Sequence, residues 1–276
     1  MSIIQAVILG AIQGVAEFLP ISSSGHLALA AYFFGQADVP LLFDVLLHLS
    51  TLAAVLIVFR APLLSLLAVF GRFIARKPKA GDGEGLKMIV ALIIGTAVTA
   101  VIGFAIKDLV DPASFGSENQ KWFYAAVSVC LVITGAVLLV SGRYRPKNTV
   151  QVPGPLQAVL VGLAQGIGVI PGISRSGSTI AASLFAGLDR KKAGEFSFLL
   201  SIPAILAAFM LELKDADTLV GSVSALPLAV GMLTAFLVGL VSLKFLLGLI
   251  NRGKLGWFAA YLIPLGLGLA AYFTTL

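Results

Sequence analysis

The nine residues PGISRSGST, 171–179, interrupt an otherwise apolar run, and their reading decides how this chain is built. Upstream stands LQAVLVGLAQGIGVI (156–170) and downstream IAASLFAGL (180–188). The downstream arm is about 10 residues, or roughly 15 Å of helix, half of a hydrocarbon core of about 30 Å. Residues 155–188 are therefore expected to enter the membrane, break at the polar turn and return as a re-entrant helix–turn–helix hairpin. Such a turn is tolerated at membrane depth only inside protein or beside water. Residues 2–36 read the same way, broken at PISSSGH (20–26) and followed by a short arm, 27–36.

The surrounding composition places these turns in a bilayer. Of 276 residues 59% are hydrophobic and 12% charged, about half the charge of an ordinary soluble domain. Apolar blocks at 41–61, 88–107, 122–142, 195–213, 223–250 and 257–276 are long enough to span, and none alternates with period two. The expectation is an all-α integral membrane protein with six transmembrane helices and two re-entrant hairpins. The start, MSIIQAVILGAIQG, has no basic segment, so no cleaved signal peptide is read. A single cysteine, Cys130, excludes a disulfide framework or a zinc cluster.

Loop charge orients the spans. Basic residues crowd into 60–87, 143–154, 189–194 and 251–254, whereas 107–121 and 212–222 carry Asp108, Asp111, Glu118, Glu212, Asp215 and Asp217. The positive-inside rule puts the first group in the cytoplasm and both termini on the outer, periplasmic side of an inner membrane. The net charge of +6 is thus topology and lipid headgroup contact, and nucleic acid is not expected as a partner.

The sequence also repeats. Displaced by 152 residues, Gln13-Gly14 falls on Gln165-Gly166, Ile21-Ser22 on Ile173-Ser174, and Ser24-Gly25 on Ser176-Gly177. FDVLLHL (43–49) falls on FSFLLSI (196–202) with one residue more. One membrane domain of two repeats, about 1–142 and 153–276, is expected. Each is a hairpin plus three spans, an odd number, so the two are inverted with respect to the bilayer. Inverted repeats with broken helices are common in secondary transporters, with the site where the breaks meet.

The differences between the repeats carry the chemistry. Glu17 falls opposite Val169, Ser23 opposite Arg175 and His26 opposite Ser178. One turn supplies carboxylate, hydroxyls and imidazole; the other supplies guanidinium and hydroxyls. Arg175, flanked by Ser174, Ser176 and Thr179 at a helix start, suits phosphate oxygens. Gly172 and Gly177 let backbone approach a ligand. Ser22 and Ser24 are candidate caps or anion donors, and Gln13, one turn before Glu17, is placed to orient it. Ser23 is the candidate nucleophile, with His26 three residues on. The alternative is structural, with the small residues permitting tight packing and Arg175 paired to Glu17; a cation at membrane depth weighs against it. Asp44 and His48, four apart on one helix face, are read as an internally satisfied pair ahead of a metal or proton pair.

QGVAEFLPISSSGH (13–26) and PGISRSGST (171–179) together resemble the bacterial undecaprenyl-diphosphate phosphatase family of the bacitracin-resistance type. Its first motif opens on Glu or Gln, here Gln13, followed by Glu17 and the Ser-Gly-His turn; its second is PGxSRSxxT. The resemblance runs from end to end. It implies a membrane hydrolase that converts the C55 polyprenyl diphosphate to the monophosphate carrier of peptidoglycan synthesis. It assigns Glu17, Ser23, His26 and Arg175 to the reaction, with Ser174, Ser176 and Thr179 on the diphosphate. Two routes stay open: attack by Ser23, or by a water that His26 or Glu17 activates. Mg2+ or Ca2+ could assist through Glu17, with no organic cofactor and no all-protein cage. The rival class is a flippase of polyprenyl phosphate using the same anion site. Membrane lipids and a homo-oligomer complete the expected partners.

Overall fold

The computed structural model describes residues 1–34, 41–110, 120–145, 149–212 and 224–275. Most of the two acidic loops, and Lys147 of one basic loop, lie outside them. The described chain is helical: α1 (Ile3–Ala16), α2 (Ser23–Phe33), α3 (Leu41–Val58), α4 (Arg60–Ile74), α5 (Asp82–Val110), α6 (Gln120–Arg143), α7 (Pro155–Ile167), α8 (Arg175–Phe185), α9 (Arg190–Glu212), α10 (Ala225–Asn251) and α11 (Ala259–Thr275). A 3-10 turn, Leu255–Phe258, leads into α11. Among the described residues the one extended pairing is an isolated bridge, Val150 with Leu188.

Five helices are long and apolar enough to cross a membrane: Asp82–Ile106, Gln120–Arg143, Arg190–Leu211, Ala225–Asn251 and Leu255–Thr275. A sixth crossing is counted when α3 and α4 are taken as one bent span. That bend is the main departure from the sequence reading. Residues 60–74, expected inside a basic cytoplasmic loop, form a helix that leaves α3 at 77°. Pro62 explains the break, because it has no N–H for the carbonyl four residues back and its ring clashes there. The basic residues on either side of APLLSLLAVF hid an apolar helix. Leu64, Leu67, Phe73 and Ile74 face outward from it, while Leu63 and Leu66 pack against the core. Arg72 anchors its far end with two bonds to Asp82, Nε to Oδ2 at 2.9 Å and Nη2 to Oδ1 at 2.5 Å.

The helices meet through small residues, as expected where lipid leaves no hydrophobic drive between them. α1 lies along α10 so closely that a Cβ on Gly10 would stand 2.4 Å from the Gly231 carbonyl oxygen. α7 lies along α5 in the same manner, with a Cβ on Gly162 falling 2.6 Å from the Gly95 oxygen. α6 packs on α11. α1, α2, α7 and α8 are short, 14, 11, 13 and 11 residues, and their breaks fall where the sequence placed them.

Candidate active site

Each break ends one helix and starts another, and the two breaks interlock. Glu17 closes α1, its N–H still bonded to the Gln13 carbonyl. The chain then turns through Ser22, which holds φ 72°, and α2 begins with the Ser22 hydroxyl accepting from Gly25 N at 3.3 Å. The second break does the same with Ser174, which accepts from Gly177 N at 3.1 Å and caps α8. The Ser22 oxygen also accepts from Gly172 N at 3.1 Å, so one hydroxyl caps its own helix and ties down the other turn. Gly172 sits at φ 92°, where a Cβ would lie 2.3 Å from the Val127 oxygen. Thr134 of α6 completes the frame, donating to the Gly172 carbonyl at 3.0 Å and accepting from Ser174 N at 3.1 Å.

This frame brings the two complementary groups together. Arg175 Nη2 donates to Glu17 Oε1, pairing residues 158 apart in sequence. The other carboxylate oxygen, Oε2, accepts from Ser23 Oγ at 2.8 Å and from Gln13 Nε2 at 3.2 Å. Glu17 is only 6% exposed. An uncompensated carboxylate there would be expensive, and the guanidinium removes that cost. Arg175 Nη1 is buried and makes no hydrogen bond among the described residues. Nη2 is thus engaged by Glu17, and the Nη1 amino group remains to donate.

A cavity of about 510 Å³ opens beside the pair. Its polar end is lined by Glu17, Ser22, Ser23, Ser24, Ser174, Arg175 and Ser176, together with Asp44 and His48. Its other walls are apolar and come from α5 and α9, including Ala100, Phe104, Ala204, Ala208 and Leu211. A site of this shape suits a ligand with a polyanionic head and a greasy tail.

Five of the expected site residues stand outside that lining. Gln13, Gly172, Gly177 and Thr179 hold the frame: Gln13 bonds to Glu17, and Thr179 shares a 2.5 Å bond with Ser197. His26 is also elsewhere. Its Nδ1 lies 2.9 Å from the Ser22 carbonyl oxygen and its Nε2 2.8 Å from the Tyr261 hydroxyl, on whose ring it stacks. The imidazole nearest the carboxylate belongs instead to His48, with Nε2 3.6 Å from Glu17 Oε2. Spacing alone showed only its local pairing with Asp44; nothing in the sequence aims α3 at the end of α1.

The described side chains form no all-protein cage for Mg2+ or Ca2+. Among the described residues no three His, Cys, Asp or Glu groups converge as ligands, and both oxygens of Glu17 are already bonded.

The family model described as bacitracin resistance protein BacA matches residues 6–268. A protein of Treponema denticola named undecaprenyl-diphosphatase is 58% identical over 273 residues, covering 99% of this chain and 98% of its own. Proteins of the same name from Desulfosudis oleivorans and Carboxydothermus hydrogenoformans are 44% and 38% identical, each over about 96% of this chain and 97% and 95% of theirs. With a family model spanning nearly its whole length and relatives matched end to end, the chain belongs to the BacA bacitracin-resistance family.

Proposed function

We propose that this protein hydrolyses undecaprenyl (C55) diphosphate to undecaprenyl phosphate and inorganic phosphate, the step that recycles the lipid carrier of cell-wall synthesis. The observation that carries the reading is the cavity itself, with the Arg175–Glu17–Ser23 cluster at one end and apolar α5 and α9 walls at the other. The head group sits at the cluster and the first isoprene units lie along the apolar wall.

The chemistry follows from who donates to whom. Phosphoryl transfer is catalysed mainly by positioning and by stabilising charge. Arg175, the α8 N-terminus and the Ser174 and Ser176 hydroxyls hold the phosphoryl oxygens. Ser23 is the nucleophile and Glu17 its base, a role supported by the 2.8 Å bond between them. As Ser23 Oγ bonds to the terminal phosphorus, the bridging P–O bond breaks and its electron pair leaves on undecaprenyl phosphate. That leaving group needs no acid, since a phosphate monoester's second pKa is about 6. Water then cleaves the phosphoserine by the same proton route in reverse order. Gln13 holds Glu17, and His26 shapes the turn through the Ser22 carbonyl. A divalent cation, Mg2+ or Ca2+, belongs in this reading as the counter-ion of the diphosphate.

The two breaks are read as re-entrant hairpins of two inverted repeats within one membrane domain. In support, α1 packs on α10 as α7 packs on α5, the pairs that exchange when one repeat is laid on the other. The basic loops then face the cytoplasm and the cavity opens to the outer leaflet, with both termini outside.

The test is phosphate release from C55 diphosphate by purified protein in detergent, for wild type, Arg175→Ala and Ser23→Ala. Wild-type release that collapses in both variants supports the reading. No release by folded wild type, with or without Mg2+ and Ca2+, overturns it.

A further inference from the structure

The groups that contact Glu17 divide sharply by type. Gln13 Nε2, Ser23 Oγ and Arg175 Nη2 all donate to it. His48 is different. Its Nδ1 lies 3.0 Å from the Asp44 main-chain oxygen, and a carbonyl can only accept, so Nδ1 carries the hydrogen. In the neutral ring Nε2 then presents a lone pair, and it faces Glu17 Oε2 at 3.6 Å. This is the same oxygen that receives the Ser23 hydroxyl. Two acceptors face each other across a gap that a proton would close. Behind the ring, Asp44 Oδ1 lies 3.7 Å from Nδ1.

We propose that His48, backed by Asp44, is the outlet for the proton that Ser23 gives up. This rests on the reading of Ser23 as nucleophile and Glu17 as base. When Oγ bonds to phosphorus, its proton passes to Glu17 Oε2 and on to His48 Nε2. The imidazolium that forms is held by the Asp44 carbonyl at Nδ1–H and by the Asp44 carboxylate nearby. In the second half-reaction water adds to phosphorus as the Oγ–P bond breaks; the proton stored on His48 returns through Glu17 to Ser23 Oγ, and the water's protons leave on inorganic phosphate. Each half moves one proton and breaks one P–O bond.

Among the described residues the cavity offers no competing candidate. Its titratable or charged lining groups are Glu17, Asp44, His48 and Arg175; α2, α5, α7 and α8 otherwise contribute hydroxyls and the Gln165 amide. His26, the other histidine of the chain, has both ring nitrogens engaged at Ser22 and Tyr261. The side chain of His48 is 30% exposed, so a small solute can reach its place. His48 acts through the base Glu17, which makes it a positioning and relay residue.

The experiment is steady-state phosphate release by His48→Ala, His48→Gln and Asp44→Asn, with and without added imidazole. A proton-transfer group contributes roughly 10²–10⁴-fold, so kcat should fall about 100-fold in both His48 variants with KM within a few-fold of wild type. Asp44→Asn should fall less. Imidazole should restore His48→Ala by about 10-fold or more and leave Ser23→Ala inert. Should His48→Ala unfold, His48→Gln carries the comparison, because Gln matches its length and keeps one polar atom toward Glu17. Wild-type kcat in His48→Gln, or a loss in folded His48→Ala that imidazole never restores, overturns the proposal and leaves the hydrolase standing. Inert wild type fails the hydrolase reading itself, and the relay with it.

Discussion

Gly172→Ala tests whether the two turns must interlock at their observed distance. Two costs coincide at this position. The backbone holds φ 92°, which a side chain resists by about 1–3 kcal/mol. The added methyl would also lie 2.3 Å from the Val127 oxygen and 2.7 Å from Cys130 Cβ. Relieving that overlap to an ordinary contact needs a shift of about 1 Å, and overpacking of this kind costs typically 1–3 kcal/mol. The turn cannot move without drawing Gly172 N away from Ser22 Oγ, now at 3.1 Å, and Arg175 away from Glu17. A 1 Å misplacement in an active site lowers the rate by about 100-fold. We expect destabilisation of about 2–6 kcal/mol and a rate down at least 100-fold in the fraction that folds. The assays are thermal unfolding in detergent and phosphate release normalised to folded protein. Gly248→Ala is the control, since a Cβ there meets nothing within 4 Å. Gly172→Ala with wild-type melting temperature and rate would refute the idea that this close approach builds the site.

Thr134→Val removes both an acceptor and a donor from the 172–174 turn, leaving Ser174 N buried and unpaired. Unfolding measurements should show a loss of about 1–3 kcal/mol, with a lower kcat that Thr134→Ser recovers. Ala208→Trp fills the apolar end of the cavity and should raise KM for C55 diphosphate several-fold while sparing a short-chain diphosphate; equal effects on both would put the tail elsewhere. Chelation with EDTA should act through KM, and Mg2+ or Ca2+ should restore it in proportion to the metal–diphosphate complex; a tightly held, stoichiometric metal in the purified protein would contradict a counter-ion role.

The polar turns were legible because hydroxyls and an arginine stand out against apolar chain, and because Glu17, Ser23 and Arg175 are positions where the two repeats differ. Their meeting followed from the repeat, and Gln13 bonds to Glu17 as its spacing suggested. Direction was harder to read. Hydropathy reports that 41–58 and 61–70 are apolar but not that Pro62 turns one against the other by 77°. A histidine three residues from a serine shares roughly its helix face. Only the packing of α11 against that helix shows that His26 is held by Tyr261, 235 residues away. His48 was visible as the mate of Asp44, while its approach to Glu17 depends on how α3 leans, a tertiary fact with no local signature.

The ion pair across the breaks also sets a clock. At about 5–20 residues per second, the ribosome needs roughly 8–30 s to reach residue 175 after residue 17. Throughout that interval Glu17 is already made and its cation is not. A carboxylate cannot wait in hydrocarbon at that cost, so the first break must remain wet, shallow or chaperoned until the second break arrives. Burial of Glu17 is therefore a late event in biogenesis, and the nascent first half of the chain carries the proposed base and nucleophile without the arginine that would grip a phosphate.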